Sequence, residues 1–246
     1  MGEGFLTAQF GIVKSSNTIG FYVPALAVFA FLISGEIICA ETNSAIKESL
    51  ERIAGNSDYV DLSTIPGIVI DLKYASSDNF MKENLYGDFR KAFLHKVAAE
   101  KLKAAAEVLQ KLKPGWKLLI FDALRPRSVQ RQFWNHVKGT PLQPYVANPD
   151  KGSVHNFGFA VDLTLIDNNG KEVDMGSKFD DFSQRSEPVR EEEFLRAGKL
   201  TEAQVNNRRI LRKVMTGAGF SQQSNEWWHY DALPAREVRA NYTIVE

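Results

Sequence analysis

A chain of 246 residues has room for one substantial domain plus a short extension, and its 44% hydrophobic content is that of an ordinary globular protein. Thirty basic residues balance thirty acidic ones, which leaves no basic excess of the kind a nucleic-acid partner requires. No internal repeat or low-complexity tract interrupts it.

The first forty residues differ from the rest. Ile19 to Ile33 is apolar apart from Gly20, Tyr22 and Pro24, with Lys14 before it and a small-residue exit near Cys39-Ala40. This layout predicts a secretory signal peptide over 1–40, cut after Ala40, and a mature domain over 41–246 exported to the periplasm. An uncleaved anchor facing the periplasm is the main rival, and a buried core helix in a cytoplasmic protein is the third reading. Membrane association would then run through this leader alone. Cys39 is the sole cysteine, so a chain starting at Glu41 has no thiol, which suits an oxidising compartment. Nothing in the pattern specifies an oligomeric state.

In chain order, Asn43 or Ser44 can cap a short helix with Ala45, Ile46, Leu50 and Ile53 on one face, stopped by Gly55. Ile65-Pro66-Gly67 reads as a turn and Ile68 to Tyr74 as a strand. Ala92 to Leu112 is the longest helical pattern, with Phe93, Val97, Leu102, Ala105, Leu109 and Leu112 at three- and four-residue spacing. His95 within it reads as an ordinary structural histidine, and Pro114-Gly115 ends it. Trp116 to Phe121 reads as a strand that delivers Asp122-Ala123-Leu124-Arg125-Pro126-Arg127 at its end. Ser128 is expected to cap a helix carrying Phe133, Trp134 and Val137, with His136 again structural. Thr140 to Lys151 is a loop.

Ala160 to Ile166 reads as a strand closed by the turn Asp167-Asn168-Asn169-Gly170. Ser186 and Pro188 are expected to start one helix. Thr201 with Gln204 makes a capping box for another, on which Ile210, Leu211, Val214 and Met215 face inward until Gly217 and Gly219 stop it. Trp228 to Leu233 is the last clear strand, with a weak one near Tyr242 to Val245. The pattern is α+β, a single domain whose central antiparallel sheet carries the site, with helices packed around it.

Two segments carry the chemistry. Ser153-Val154-His155-Asn156-Phe157-Gly158-Phe159-Ala160-Val161-Asp162 and Glu226-Trp227-Trp228-His229 hold two of the four histidines. His155, Asp162 and His229 form a ligand set that zinc accepts, with a fourth position for water. Gly158 lets the backbone turn so that His155 and Asp162 converge. Glu226, three residues before His229, is placed to act as the base. Alternation along the last strand puts His229 and Asp231 on one face, making Asp231 a candidate orienter of the imidazole. Two histidines and an aspartate can also share a polar core without a metal. The spacing is not that of His-Glu-x-x-His, so the helix-borne metalloprotease arrangement does not apply. The paired Trp227 and Trp228 read as site wall or core.

Ser-x-His-x-x-Gly-x-Ala-x-Asp followed by Glu-x-Trp-His resembles the signature of the zinc D-alanyl-D-alanine metallopeptidases, and every fixed position is met. Asp71-Leu72-Lys73-Tyr74-Ala75, Asp78-Asn79-Phe80, Asp122-Ala123-Leu124-Arg125-Pro126, Asp174-Met175-Gly176 and Phe179-Asp180-Asp181-Phe182 resemble the VanX-type D-Ala-D-Ala dipeptidase branch. The likeness runs from about Val60 to Leu233. It implies one Zn²⁺ per chain on His155, Asp162 and His229, Glu226 as base, and Arg125 as electrophilic helper. It also implies a small dipeptide substrate met by Ser153, Tyr74 and Asp180. For these the plainer readings stay open: a salt bridge to Asp122 for Arg125, a loop cap for Ser153, a core aromatic for Tyr74, a turn former for Asp174 or Asp180. A D,D-carboxypeptidase trimming peptidoglycan stem peptides is the alternative activity, and a non-catalytic zinc domain a third. An exported dipeptidase would act outside the membrane, in wall recycling or nutrition, and not in cytoplasmic glycopeptide resistance.

Overall fold

The computed structural model describes residues 44–246, so the leader and its boundary lie outside the described residues. The fold belongs to the unit Ala40–Glu246. Among the described residues no helix is long and apolar enough to cross a membrane.

Helix α1 covers 44–54 and buries Ile46, Leu50 and Ile53 as its spacing predicts, while Ala45, expected on the same face, is exposed. Two strands follow, β1 (Tyr59–Asp61) and β2 (Ile68–Ile70). β2 is shorter than its β-branched run, because Lys73–Ala75 turns into a 3₁₀ segment that buries Tyr74. The long helical pattern is split. Phe93–His95 forms β3, antiparallel to β1, and α2 begins only at Lys96 and runs to Leu112. All three β3 side chains are buried, so their spacing suits either element, and pairing with Tyr59–Asp61 decides it. His95 caps α2, its Nδ1 accepting from the Val97 N–H, and its ring stacks on Phe159. The α2 inner face is Ala98, Ala99, Leu102, Ala105, Ala106 and Leu109; Val97 and Leu112, expected there, are each 37% exposed.

β4 (Lys117–Asp122) leads to α3 (Arg127–Val137), and Pro126, not Ser128, stands at its N-cap. β5 (Ala160–Ile166) matches its predicted span. The region of Ser186 and Pro188 forms two 3₁₀ turns, and α4 starts only at Glu191 and ends at Arg196. Helix α5 (Glu202–Gly217) carries the predicted Thr201–Gln204 capping box, a motif that contributes about 1 kcal/mol. It buries Leu211, Val214 and Met215, with Ile210 half-buried. β6 (Ser221–Gln222), β7 (His229–Asp231) and α6 (Ala235–Asn241) complete the chain. β6 and α6 escape the apolar pattern, since β6 has two polar residues and α6 buries only Val238.

The main sheet runs β2-β4-β5-β7-β6, antiparallel except for the parallel β2/β4 pair. Every residue of β5 is buried, so the central strand is covered on both faces. Its register decides the site. Asp162 stands opposite Asp122 of β4 and opposite His229 of β7, which brings three polar side chains together across adjacent strands. An irregularity between Ile120 and Asp122 adjusts that end of β4.

Candidate metal centre and active site

One cleft of about 250 Å³ is lined by all the candidate catalytic, substrate-binding and metal-ligating residues: Tyr74, Arg125, Ser153, His155, Asp162, Asp180, Glu226 and His229. Separate stretches of chain supply them. His155 comes from the 3₁₀ turn Val154–Phe157, Asp162 from β5 and His229 from β7. Gly158 ends the His155 turn at φ +74°, where a Cβ would stand 2.9 Å from the backbone nitrogen of His95. Only glycine makes that turn without strain.

Hydrogen bonding sets the imidazole tautomers. His155 Nδ1 lies 2.7 Å from the Ala123 carbonyl, which can only accept, so Nδ1 carries the proton and Nε2 keeps its lone pair. His229 Nε2 lies 3.1 Å from Asp231 Oδ1; donation there leaves the Nδ1 lone pair facing inward. The inward atoms are His155 Nε2, His229 Nδ1 and Asp162 Oδ1, at separations of 3.2, 3.4 and 2.9 Å. Three lone pairs so close repel unless a proton or cation lies between them. Ligands on a tetrahedron with bonds of about 2.0–2.1 Å stand about 3.3 Å apart, so the donor set fits a metal ion of zinc's size and preference. All three ligand residues are buried. Where a proton takes the place of an ion between them, burial pushes the Asp162 carboxyl up, but the charge and N–H donation of the two imidazoles hold it below the usual carboxylate range.

Glu226 borders this centre, with Oε2 3.9 Å from His229 Nδ1. Burial pushes its carboxyl up to about 7. Arg125 donates through Nε to Asp122 Oδ2 at 2.8 Å and through Nη1 to Gln130 at 2.9 Å; its Nη2 is 2.6 Å from Asp122 and 3.6 Å from Asp162. Its plane lies over Phe133 and Tyr74. Burial works against the guanidinium charge, but Asp122 more than offsets it and the group is held firmly cationic. The salt bridge to Asp122 is therefore present, and it fixes the guanidinium beside the metal ligands.

Ser153 does cap the His155 turn, accepting from the His155 N–H at 3.4 Å within a box completed by Asn156. It lines the cleft as well. Tyr74 is a core aromatic whose hydroxyl donates to Asp180 at 3.1 Å, and the Phe80 N–H donates to the other Asp180 oxygen. Burial pushes the Asp180 carboxyl up to about 8. Asp174, by contrast, accepts from the Gly176 N–H and from Gln204, a structural role away from the cleft. Trp228 both fills core and walls the cleft, while Trp227 is buried with Nε1 donating to Ser177.

Residues 56–245 match the family model described as D-ala-D-ala dipeptidase, of the peptidase M15 group. The chain belongs to that family. It is 36% identical over 180 residues to the D-alanyl-D-alanine dipeptidase of Escherichia coli (strain K12), covering 73% of this chain and 86% of that one. It is 30% identical over 200 residues to the D-alanyl-D-alanine dipeptidase of Enterococcus faecalis (strain ATCC 700802 / V583), covering 72% and 93%. With the Enterococcus faecium enzyme of the same name it shares 32% over 183 residues, covering 68% and 86%. The metallopeptidase family thus agrees with the motif-level resemblance.

Several neighbours of the site have no signal in the sequence. Gln130 and Tyr86 hold Arg125 and Asp122, the Tyr86 hydroxyl donating to Asp122 Oδ1 at 2.9 Å. Tyr145 walls the cleft, beside Phe80 and Phe182 of the segments that carry the resemblance and Phe133 of α3. Their positions follow from long-range packing, which leaves no local spacing pattern.

Proposed function

We propose that this protein is a zinc-dependent dipeptidase that hydrolyses D-alanyl-D-alanine and similar dipeptides to free amino acids, in peptidoglycan metabolism. The observation that carries the reading is the convergence of His155 Nε2, Asp162 Oδ1 and His229 Nδ1 beside the Glu226 carboxylate. Two imidazoles and one carboxylate suit Zn²⁺ better than a hard cation such as Mg²⁺ or Ca²⁺. The ion, held by these three residues, would supply Lewis acidity and lower the pKa of a water toward about 7.

Glu226 takes the proton of the attacking water and hands it to the leaving nitrogen as the C–N bond breaks. Arg125, fixed by Asp122 and Gln130, faces the negative charge that develops on the carbonyl oxygen. Because Asp122 positions the guanidinium in advance, little reorganisation is needed as that charge appears. Asp180, steadied by Tyr74 and the Phe80 N–H, meets the substrate ammonium; bringing that cation against it draws its carboxyl down from about 8 into the ionised form. The Ser153 hydroxyl is the nearby polar group for the other end of the substrate.

A cleft of about 250 Å³ suits a dipeptide, and the named relatives are dipeptidases, so stem-peptide trimming is the less favoured activity. The apolar run Ile19 to Ile33 supports export and a role outside the membrane. The test is amine release from D-Ala-D-Ala by the zinc-loaded chain, beside the N-acetylated dipeptide. Hydrolysis of the free dipeptide alone is expected; equal rates on the blocked form would overturn the reading in favour of stem trimming. Glu226→Gln should lower kcat by about 10²–10⁴-fold with zinc content unchanged.

A further inference from the structure

A free dipeptide at neutral pH carries a cation at one end and an anion at the other. The cleft offers Asp180 to the first, and the second needs a cation that is both accessible and only partly engaged. Apart from the histidines of the metal centre, the cations lining the cleft are Arg125 and Arg239.

Arg125 is poorly suited to grip a carboxylate. Asp122 takes its Nε and Nη2, Gln130 takes Nη1, aromatic rings cover its plane, and its side chain is 8% exposed. What it has left points toward Asp162 and the metal centre. Arg239 is the opposite case. It projects from α6 and stays exposed, and its Nε and Nη2 donate to the Gly152 carbonyl at 3.2 and 2.8 Å. Nη1 donates to no group among the described residues. Gly152 directly precedes Ser153, so the carbonyl that holds the guanidinium ties it to the segment that carries Ser153 and His155, and Arg239, Ser153 and His155 all line the same cleft. A guanidinium anchored on one edge and open on the other can receive a carboxylate without losing the full entropy of a free arginine.

We infer that Arg239 recognises the C-terminal carboxylate of the dipeptide and makes the enzyme select a free acid over its amide. The inference rests on the dipeptidase reading above. The two arginines then have different roles. Arg125 serves the charge that develops during reaction, and Arg239 the charge the substrate already carries. Interactions of the second kind act on binding, so the signature belongs in KM.

The experiment compares D-Ala-D-Ala with D-Ala-D-alaninamide on the zinc-loaded wild type, on Arg239→Met, which keeps an apolar stem, and on Arg239→Lys. The wild type should prefer the acid. Arg239→Met should raise KM for the acid by about 10- to 100-fold, the worth of a charged hydrogen bond, with kcat and the amide little changed. Arg239→Lys should restore part of the preference. An equal loss on both substrates would mean that Arg239 only holds the Gly152 carbonyl, and the inference would fall. A wild type with no preference for the acid would overturn it without recourse to any variant. A wild type inactive on D-Ala-D-Ala would sink the dipeptidase reading, and the inference with it.

Discussion

Asp180 combines two unfavourable features that a purely structural residue has no reason to keep. Its backbone sits at φ +60°, a region that few residues other than glycine, asparagine and aspartate enter, and its carboxyl is buried enough to be pushed up to about 8. In the unfolded chain the same carboxyl releases its proton near pH 4. Between roughly pH 4 and 8 the native state therefore holds a proton that the unfolded chain has lost, and stability falls as pH rises through that window. Asp180→Asn removes this dependence, can keep its one amide oxygen at the position that faces both the Phe80 N–H and the Tyr74 hydroxyl, and tolerates the left-handed backbone. The expected outcome is a Tm raised by a few degrees at pH 8 and unchanged near pH 4, read by thermal unfolding. The same variant should lose affinity for the dipeptide, seen as a higher KM. A residue whose removal stabilises the fold while weakening turnover is held there for its chemistry. Arg125 gives the complementary lesson: a guanidinium has five N–H donors, so a buried salt bridge to Asp122 and service to the cleft do not compete.

Among the elements, the His155 turn is the most tightly specified. Gly158 closes it at φ +74°, donates to the His155 carbonyl and accepts from the His95 N–H. Gly158→Ala would meet that same backbone nitrogen at 2.9 Å and place a Cβ in the left-handed region, at a cost of about 1–2 kcal/mol from conformation alone. A fall in Tm of roughly 2–8 °C is expected, together with weaker metal binding, because the neighbouring backbone must shift to relieve the contact. Competition with a metal-binding dye would measure the second effect. The split between β3 and α2 shows where periodicity fails as a guide. Phe93-Leu94-His95 is three consecutive buried residues at the head of a helical pattern, and its assignment depends on β1 lying alongside. Strand β5 was legible to the residue because its β-prone and apolar positions end at a strong Asp-Asn-Asn-Gly turn.

At the scale of the molecule, the candidate metal centre joins parts of the chain that share no local structure. His155, Asp162 and His229 lie on a 3₁₀ turn and two strands, and the last residues of the chain brace them. The Val245 N–H donates to the Asn156 carbonyl, and the Arg127 N–H donates to the Val245 carbonyl, so the final segment stitches the Arg125 stretch to the His155 turn. Beside it, Glu246 pairs with Arg127 and takes a hydrogen bond from Ser49 of α1. The weak strand expected over Tyr242 to Val245 is not one, yet its backbone bonds as a strap across the site. Since the ion would bind only the folded arrangement, its removal should cost stability as well as activity. At a concentration about a hundred times Kd, binding contributes about 2.7 kcal/mol, or roughly 5–10 °C in Tm. Thermal unfolding with and without a chelator checks this; an unchanged Tm would mean that the three ligands hold no ion.

The candidate ligands His155, Asp162 and His229 and the candidate base Glu226 were legible in the sequence alone, because few side chains can bind a metal or move a proton and these stand in two short segments that resemble a family signature. The α+β class and the spans of β5 and α5 were equally local, carried by β-branched runs, a capping box and turn residues. Tertiary structure decided what local chemistry cannot encode. The register that sets Asp122, Asp162 and His229 side by side depends on strands far apart in sequence. So do the pairing that turns a helical pattern into β3 and the placing of Arg239 at the cleft from the far end of the chain. Each is a contact between distant residues, and a contact of that kind leaves no periodic trace on either side.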